Sequence, residues 1–162
     1  PGMDGLRHRL GGLEKWDITG NVSTDPQNHQ RMVELREEKV NRVADDIPNQ
    51  DVTGEESGEL LVMSWGGSKG AILNAVEELQ SEGKSISHAH FHYLNPMPKN
   101  TLEVIKNFKR VIVPELNRGQ FVKILRMTYP GYTFEQYNKV QGLPFTVGEL
   151  KNKFNEILEG NK

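Results

Sequence analysis

From Leu60 onward the chain alternates short apolar runs with stretches of helical periodicity. Residues 60–65, Leu-Leu-Val-Met-Ser-Trp, form a nearly continuous apolar run, the pattern of a strand covered on both faces. A glycine-rich turn follows, Gly66-Gly67-Ser68-Lys69-Gly70. Beyond it Ala71, Ile72, Ala75, Val76 and Leu79 share one helical face, and Gly83 ends that helix. Residues 86–93 alternate as a strand, and Pro98 opens a helix with Leu102, Ile105 and Phe108 inward. Residues 110–115 read as a third buried strand. Asn117 is placed to cap a helix carrying Phe121, Val122, Leu125 and Thr128 on one side. A less clean strand spans 133–140. The last helix opens with a capping box, Thr146-x-x-Glu149, and buries Leu150, Phe154, Ile157 and Leu158. Strands alternating with helices require right-handed crossovers, and therefore a parallel sheet with helices on both faces: a three-layer α/β/α domain.

The first 58 residues lack this rhythm. Residues 1–24 are polar and glycine-rich; Arg7-His8-Arg9-Leu10-Gly11-Gly12 reads either as a loop for an anionic group or a neighbour, or as a polar segment of an upstream domain. Asp25-Pro26 starts a helix to about residue 44, with Met32, Leu35, Lys39 and Val43 along one stripe and Glu38 and Arg42 as an i,i+4 pair. So thin a stripe predicts packing against another domain or subunit. Residues 45–58 hold Pro48, Gly54, Gly58 and five acids, and read as a linker with a short edge strand at 47–52. The division expected is 1–58, a lead-in segment, helix and linker from an upstream domain, and 59–162, the compact domain. The start, Pro1-Gly2-Met3, has neither an initiator methionine nor a signal-peptide pattern, as in a fragment of a longer chain.

Composition narrows the function classes. The 162 residues carry a net charge of -2 with 26% charged residues, so nothing marks a nucleic-acid or anionic-lipid surface. No apolar run approaches the roughly 20 residues of a membrane span. Cysteine is absent, which excludes disulfides, thiolate metal sites and a cysteine nucleophile, and suits a reducing cytoplasm.

Ligands of open α/β sheets gather at the carboxyl ends of the strands. The polar residues on the three loops leaving that edge are Ser68, Lys69, Asn95, Glu115, Asn117 and Gln120, which with Gly67 are the candidate ligand or subunit contacts. They offer donors and one carboxylate but no nucleophile–base pair, so no catalytic residue is assigned. The Gly66–Gly70 turn lacks both the Walker pattern and Gly-x-Gly-x-x-Gly; it reads as a tight turn for close packing or as a modest anion contact. His88, His90 and His92 alternate and share a face. Their spacing permits zinc ligation, but no neighbouring carboxylate supports it, and a polar contact face explains them as well; no metal site is assigned.

Five stretches carry a family resemblance: Gly20 to Met32, Trp65 to Ile72, Leu94-Asn95-Pro96-Met97-Pro98-Lys99-Asn100, Val113 to Gln120, and Asn138 to Phe145. Together they resemble the α subunit of 2-oxoacid:ferredoxin oxidoreductases, the 2-oxoglutarate type above all. The resemblance implies a transketolase C-terminal-like domain: a mostly parallel five-stranded sheet with one antiparallel edge strand, for which 47–52 is the candidate. It also implies a parent complex that decarboxylates a 2-oxoacid on thiamine diphosphate with Mg, passes electrons through an iron–sulfur cluster to ferredoxin, and transfers the acyl group to coenzyme A. The implied partners are the β subunit and the other domains of that enzyme. Where the family's loop carries Ser-Thr this chain has Gly67-Ser68, one hydroxyl fewer for a substrate. The resemblance therefore implies an assembly domain holding no cofactor of its own; a free-standing small-molecule-binding module is the alternative.

Overall fold

The computed structural model describes residues 2–6 and 10–160. They form two compact units, Pro1–Asp46 and Ile47–Lys162.

In the first unit Asp25 caps helix α1 (Pro26–Arg42), its carboxylate accepting from the Asn28 backbone N–H at 2.7 Å, and a 3-10 turn over Val43–Asp45 follows. The expected stripe does not become a buried face: Met32 and Leu35 are half-buried, and Lys39 and Val43 are exposed. The one buried residue of α1 is polar. Asn28 donates to the Lys15 carbonyl at 2.8 Å and anchors the preceding segment, where Lys15 and Val22 form an antiparallel bridge. Arg36 and His29 reach the Glu14 carboxylate at 3.0 and 2.8 Å and hold its pKa at about 2. Polar contacts thus organise a segment that has no sustained apolar period. The Arg7-His8-Arg9 part of the anion-loop reading lies outside the described residues.

The second unit is built on β1 (Gly58–Trp65). Its remaining elements are α2 (Lys69–Ser81), β2 (Ile86–Phe91), α3 (Thr101–Lys106), β3 (Phe108–Glu115), α4 (Gln120–Thr128), β4 (Glu135–Asn138) and α5 (Val147–Glu159). The strand order is β2-β1-β3-β4, with every pair parallel. Alternation along β1 divides the core. Leu61 and Met63 join Val111, Val113, Ile105 and Phe121 on the α3/α4 side; Leu60 and Val62 join Ile72, Leu79, Leu150 and Phe154 on the α2/α5 side. The Thr146–Glu149 capping box is formed as the sequence predicts, and Lys139 adds bonds to both Glu149 oxygens at 2.8 Å and to the Pro144 carbonyl at 2.9 Å. Among the described residues no helix is long and apolar enough to cross a membrane.

The sheet corrects the expected fifth strand. Among the described residues it has four strands, all parallel, and the antiparallel edge shrinks to one bridge between Thr53 and His88, with N···O distances of 2.8 and 3.0 Å. The reason lies in residues 48–54. Pro48 has no N–H to give. The Gln50 backbone N–H and carbonyl are both taken by the Asn100 amide, at 2.7 and 3.0 Å. Gly54, at φ +105°, then turns the chain away. Smaller shifts accompany it. Phe108 is buried as the first residue of β3 rather than on the preceding helix, which spans six residues, and Thr128 is exposed.

Phe154 has no exposed surface in the α2/α5 layer. Phe154→Ala is expected to cost about 3–5 kcal/mol by removing a buried ring that its neighbours cannot replace, measured as a lower urea midpoint at unchanged m.

Candidate functional site

The order β2-β1-β3-β4 fixes where a crevice opens. The chain leaves β1 toward α2 on one face and leaves β3 toward α4 on the other, so the carboxyl ends of these adjacent strands part. The resulting crevice, about 200 Å³, is lined by Trp65, Gly66, Gly67 and Ser68 on one side and by Pro114, Glu115, Leu116 and Asn117 on the other.

Its polar groups are turned inward on the fold. The Glu115 carboxylate, 2% exposed, accepts from Trp65 Nε1 (3.2 Å), Asn117 Nδ2 (3.1 Å), and the backbone N–H groups of Phe121 (2.9 Å) and Val122 (3.1 Å). It thereby satisfies two orphan donors at the α4 N-terminus, where a negative charge is favoured. Asn117 does not occupy the N-cap position, which falls to Gly119 at φ +77°; from two residues upstream its Oδ1 accepts from the Gly119 and Gln120 N–H groups at 2.8 and 2.9 Å. Ser68 donates to the Trp65 carbonyl at 2.9 Å. In the glycine turn the close-packing explanation is corrected. A Cβ on Gly66, Gly67 or Gly70 would meet nothing within 4 Å, and only Gly66, at φ +63°, needs glycine, for its left-handed backbone.

Of the seven sequence candidates, the fold therefore gathers Gly67, Ser68, Glu115 and Asn117 at the crevice. Asn95 and Gln120 are exposed and line neither this crevice nor the next. Lys69 faces the other side of α2, toward the histidine row.

That row holds the contact which the sequence reading missed. β1 and β2 pair with Ser64 opposite His90, and the Ser64 hydroxyl sits 2.7 Å from His88 Nε2 and 2.9 Å from His90 Nδ1. A hydroxyl–base pair is thus present after all, but Ser64 has no exposed surface and, among the described residues, no carboxylate hydrogen-bonds either ring. It is a polar patch in the sheet face rather than an accessible nucleophile. The signal was the parity of Leu60-Val62-Ser64 against Ile86-His88-His90, legible only once the strand register is known. Burial lowers both His88 and His90 to about 4, with further lowering from a neighbouring imidazole and the Lys69 ammonium. Among the described residues no group of three His, Cys, Asp or Glu side chains is arranged to hold a metal ion.

Two outcomes follow from this geometry. Glu115→Gln puts an amide where the carboxylate accepts from α4, and is expected to destabilise the fold by about 2 kcal/mol and to shift Trp65 fluorescence, read in urea melts. Because His88 and His90 take protons less readily folded than unfolded, their contribution to stability is complete above about pH 6.5 and is lost as pH falls toward 4. Melting temperature is expected to fall across that window, and His88→Gln to reduce the slope to roughly half. The loss from Glu14 and Glu149, both held at about 2, belongs to the lower window beneath 4.5.

Known proteins share this architecture. No family profile matches the chain. It is 38% identical over 99% of its length to 2-oxoglutarate oxidoreductase subunit KorA of Mycobacterium tuberculosis, covering 24% of that protein. It is 32% identical over 90% of its length to 2-oxoacid:ferredoxin oxidoreductase 1 subunit alpha of Aeropyrum pernix, again covering 24%. It therefore spans about a quarter of the curated relatives it matches. Among solved structures it superposes on 2-oxoglutarate:ferredoxin oxidoreductase from Magnetococcus marinus, which holds 2-oxoglutarate, coenzyme A and succinyl-CoA, with a TM-score of 0.88 and 31% identity over 98% of this chain and 28% of that one. A split-gene transketolase matches at TM-score 0.53 and 14% identity over 69% of this chain and 42% of its own, a likeness of fold alone. By sequence and by fold, this chain is similar to one segment of the α subunits of 2-oxoacid:ferredoxin oxidoreductases.

Proposed function

We propose that this chain is an assembly part of the α subunit of a thiamine-diphosphate-dependent 2-oxoglutarate:ferredoxin oxidoreductase. Residues 59–162 are its transketolase C-terminal-like domain, and 1–58 lead in from an upstream domain. The parent enzyme converts a 2-oxoacid and coenzyme A to acyl-CoA and CO2 and reduces ferredoxin, in the cytoplasm, with a β subunit as partner. The observation that carries this reading is the 38% identity over 99% of the chain to a 2-oxoglutarate oxidoreductase subunit.

The residues present do not fit the parent's cofactors. Without cysteine the chain has no thiolates for an iron–sulfur cluster. At the switch-point crevice the one carboxylate already accepts four protein donors, and Asn117 is committed to the α4 turn. Neither is free for Mg2+ or a diphosphate. What these residues do is hold: Glu115 and Asn117 fasten the start of α4 to the end of β1 and leave an apolar-walled notch for a neighbouring segment. This supports a framework role, with thiamine diphosphate, Mg2+ and the cluster carried elsewhere in the complex.

Viologen or ferredoxin reduction under anaerobic conditions tests the proposal. The chain alone, supplied with 2-oxoglutarate, coenzyme A and thiamine diphosphate, is expected to show no turnover, and the complete α subunit with its β subunit to be active. Turnover by the chain alone overturns the reading. Calorimetry adds a second check: micromolar binding of coenzyme A or 2-oxoglutarate to the chain alone would instead mark a free-standing binding module.

A further inference from the structure

The second crevice, about 230 Å³, opens at the carboxyl end of β2. Lys69, His90, His92 and Tyr93 line it, and His88 lies at its buried floor with 1% of its surface exposed. It exists because residues 48–52 do not pair with β2: Gln50 touches that strand only through its side chain, which donates to the His90 carbonyl at 3.0 Å. Residues 48–51 and Thr53 line its other side.

Three features give this crevice a chemical direction. The His90 and His92 rings stand edge to face at 5.0 Å, and His88 and His90 at 5.9 Å, so the imidazoles form one continuous wall. Ser64, fully buried, bonds His88 Nε2 and His90 Nδ1 at once. The hydroxyl has one proton for two nitrogens: when Ser64 donates to His90 Nδ1 it accepts from His88 Nε2–H, and His90, neutral, carries its own proton on Nε2, a donor beyond the Ser64 contact. Finally, the Lys69 ammonium acts on both His88 and His90, and among the described residues no carboxylate lies within ion-pair distance of it. Asp51 is the one carboxylate lining the crevice; Tyr93, Gln50 and Asn49 supply the other polar groups. An ammonium and two partly exposed imidazoles line one crevice, with no described carboxylate paired to the ammonium.

We propose that this crevice is an oxyanion site: Lys69, His90 and His92 hold the phosphate or carboxylate group of a small ligand, and Ser64 is a positioning residue that fixes the orientation of the His90 ring. The site lies on the outer side of β2, apart from the β1/β3 switch point, and does not depend on the function proposed above.

Ring-proton NMR of the full chain tests it at constant ionic strength, with inorganic phosphate titrated in one arm and acetate in the other. The His90 and His92 signals are expected to shift saturably, the apparent pKa of His90 to rise as the anion binds, and Lys69→Ala to weaken binding about tenfold or more. Saturation by phosphate only assigns a phosphate ligand; saturation by both assigns the broader oxyanion class. Ser64→Ala is expected to change the His90 tautomer, seen in its 15N shifts, and to weaken binding severalfold, with Ser64→Thr restoring both. Lys69 is exposed, so its variant tests charge without disturbing the core. Shifts that stay linear with anion concentration, or that are unchanged in Lys69→Ala, overturn the proposal.

Discussion

The carboxylate of Glu115 is the joint on which the second unit turns. At the end of a buried strand it binds the indole of β1, the first amide donors of α4 and the side chain of Asn117, with two per cent of its surface exposed. A buried charge without such partners would be costly, and a helix start without an acceptor would leave its donors orphaned. Each requirement satisfies the other. The same joint holds together the parting ends of β1 and β3, so the crevice there is a consequence of chain topology stiffened by one saturated anion.

A saturated site is a poor reagent and a good framework. The two crevices at the carboxyl edge differ in just this respect. At the switch point donors and acceptors cancel within the protein and the walls turn apolar. Beside β2, the Lys69 ammonium has no carboxylate partner within ion-pair distance among the described residues, and burial pushes the His88 and His90 imidazoles toward neutrality. The first arrangement suits packing against protein, the second recognition of a small charged group.

Much of the fold was legible in the residues themselves. The runs at 60–65 and 110–115, the helical face through Ile72, Val76 and Leu79, and the Thr146/Glu149 box lie in their expected elements, because each is a local pattern of burial or capping. The misses have a common character. The edge strand at 47–52 was lost to Asn100, a residue fifty positions away that takes both backbone groups of Gln50. Glu115 and Asn117 were found as residues of interest, but their partners lie on other elements, so their commitment to structure could not be read from spacing.

Local chemistry in the sequence determined the strand and helix order, the absence of thiolate chemistry and the caps of α1 and α5, since all of these depend on composition or on neighbours a few residues apart. Tertiary structure alone decided the rest. It set the register that places Ser64 opposite His90, the burial that lowers two histidines, and the division of one set of loop residues between two crevices. Those depend on which strands lie side by side, and a period-two pattern specifies a face without specifying the partner across from it.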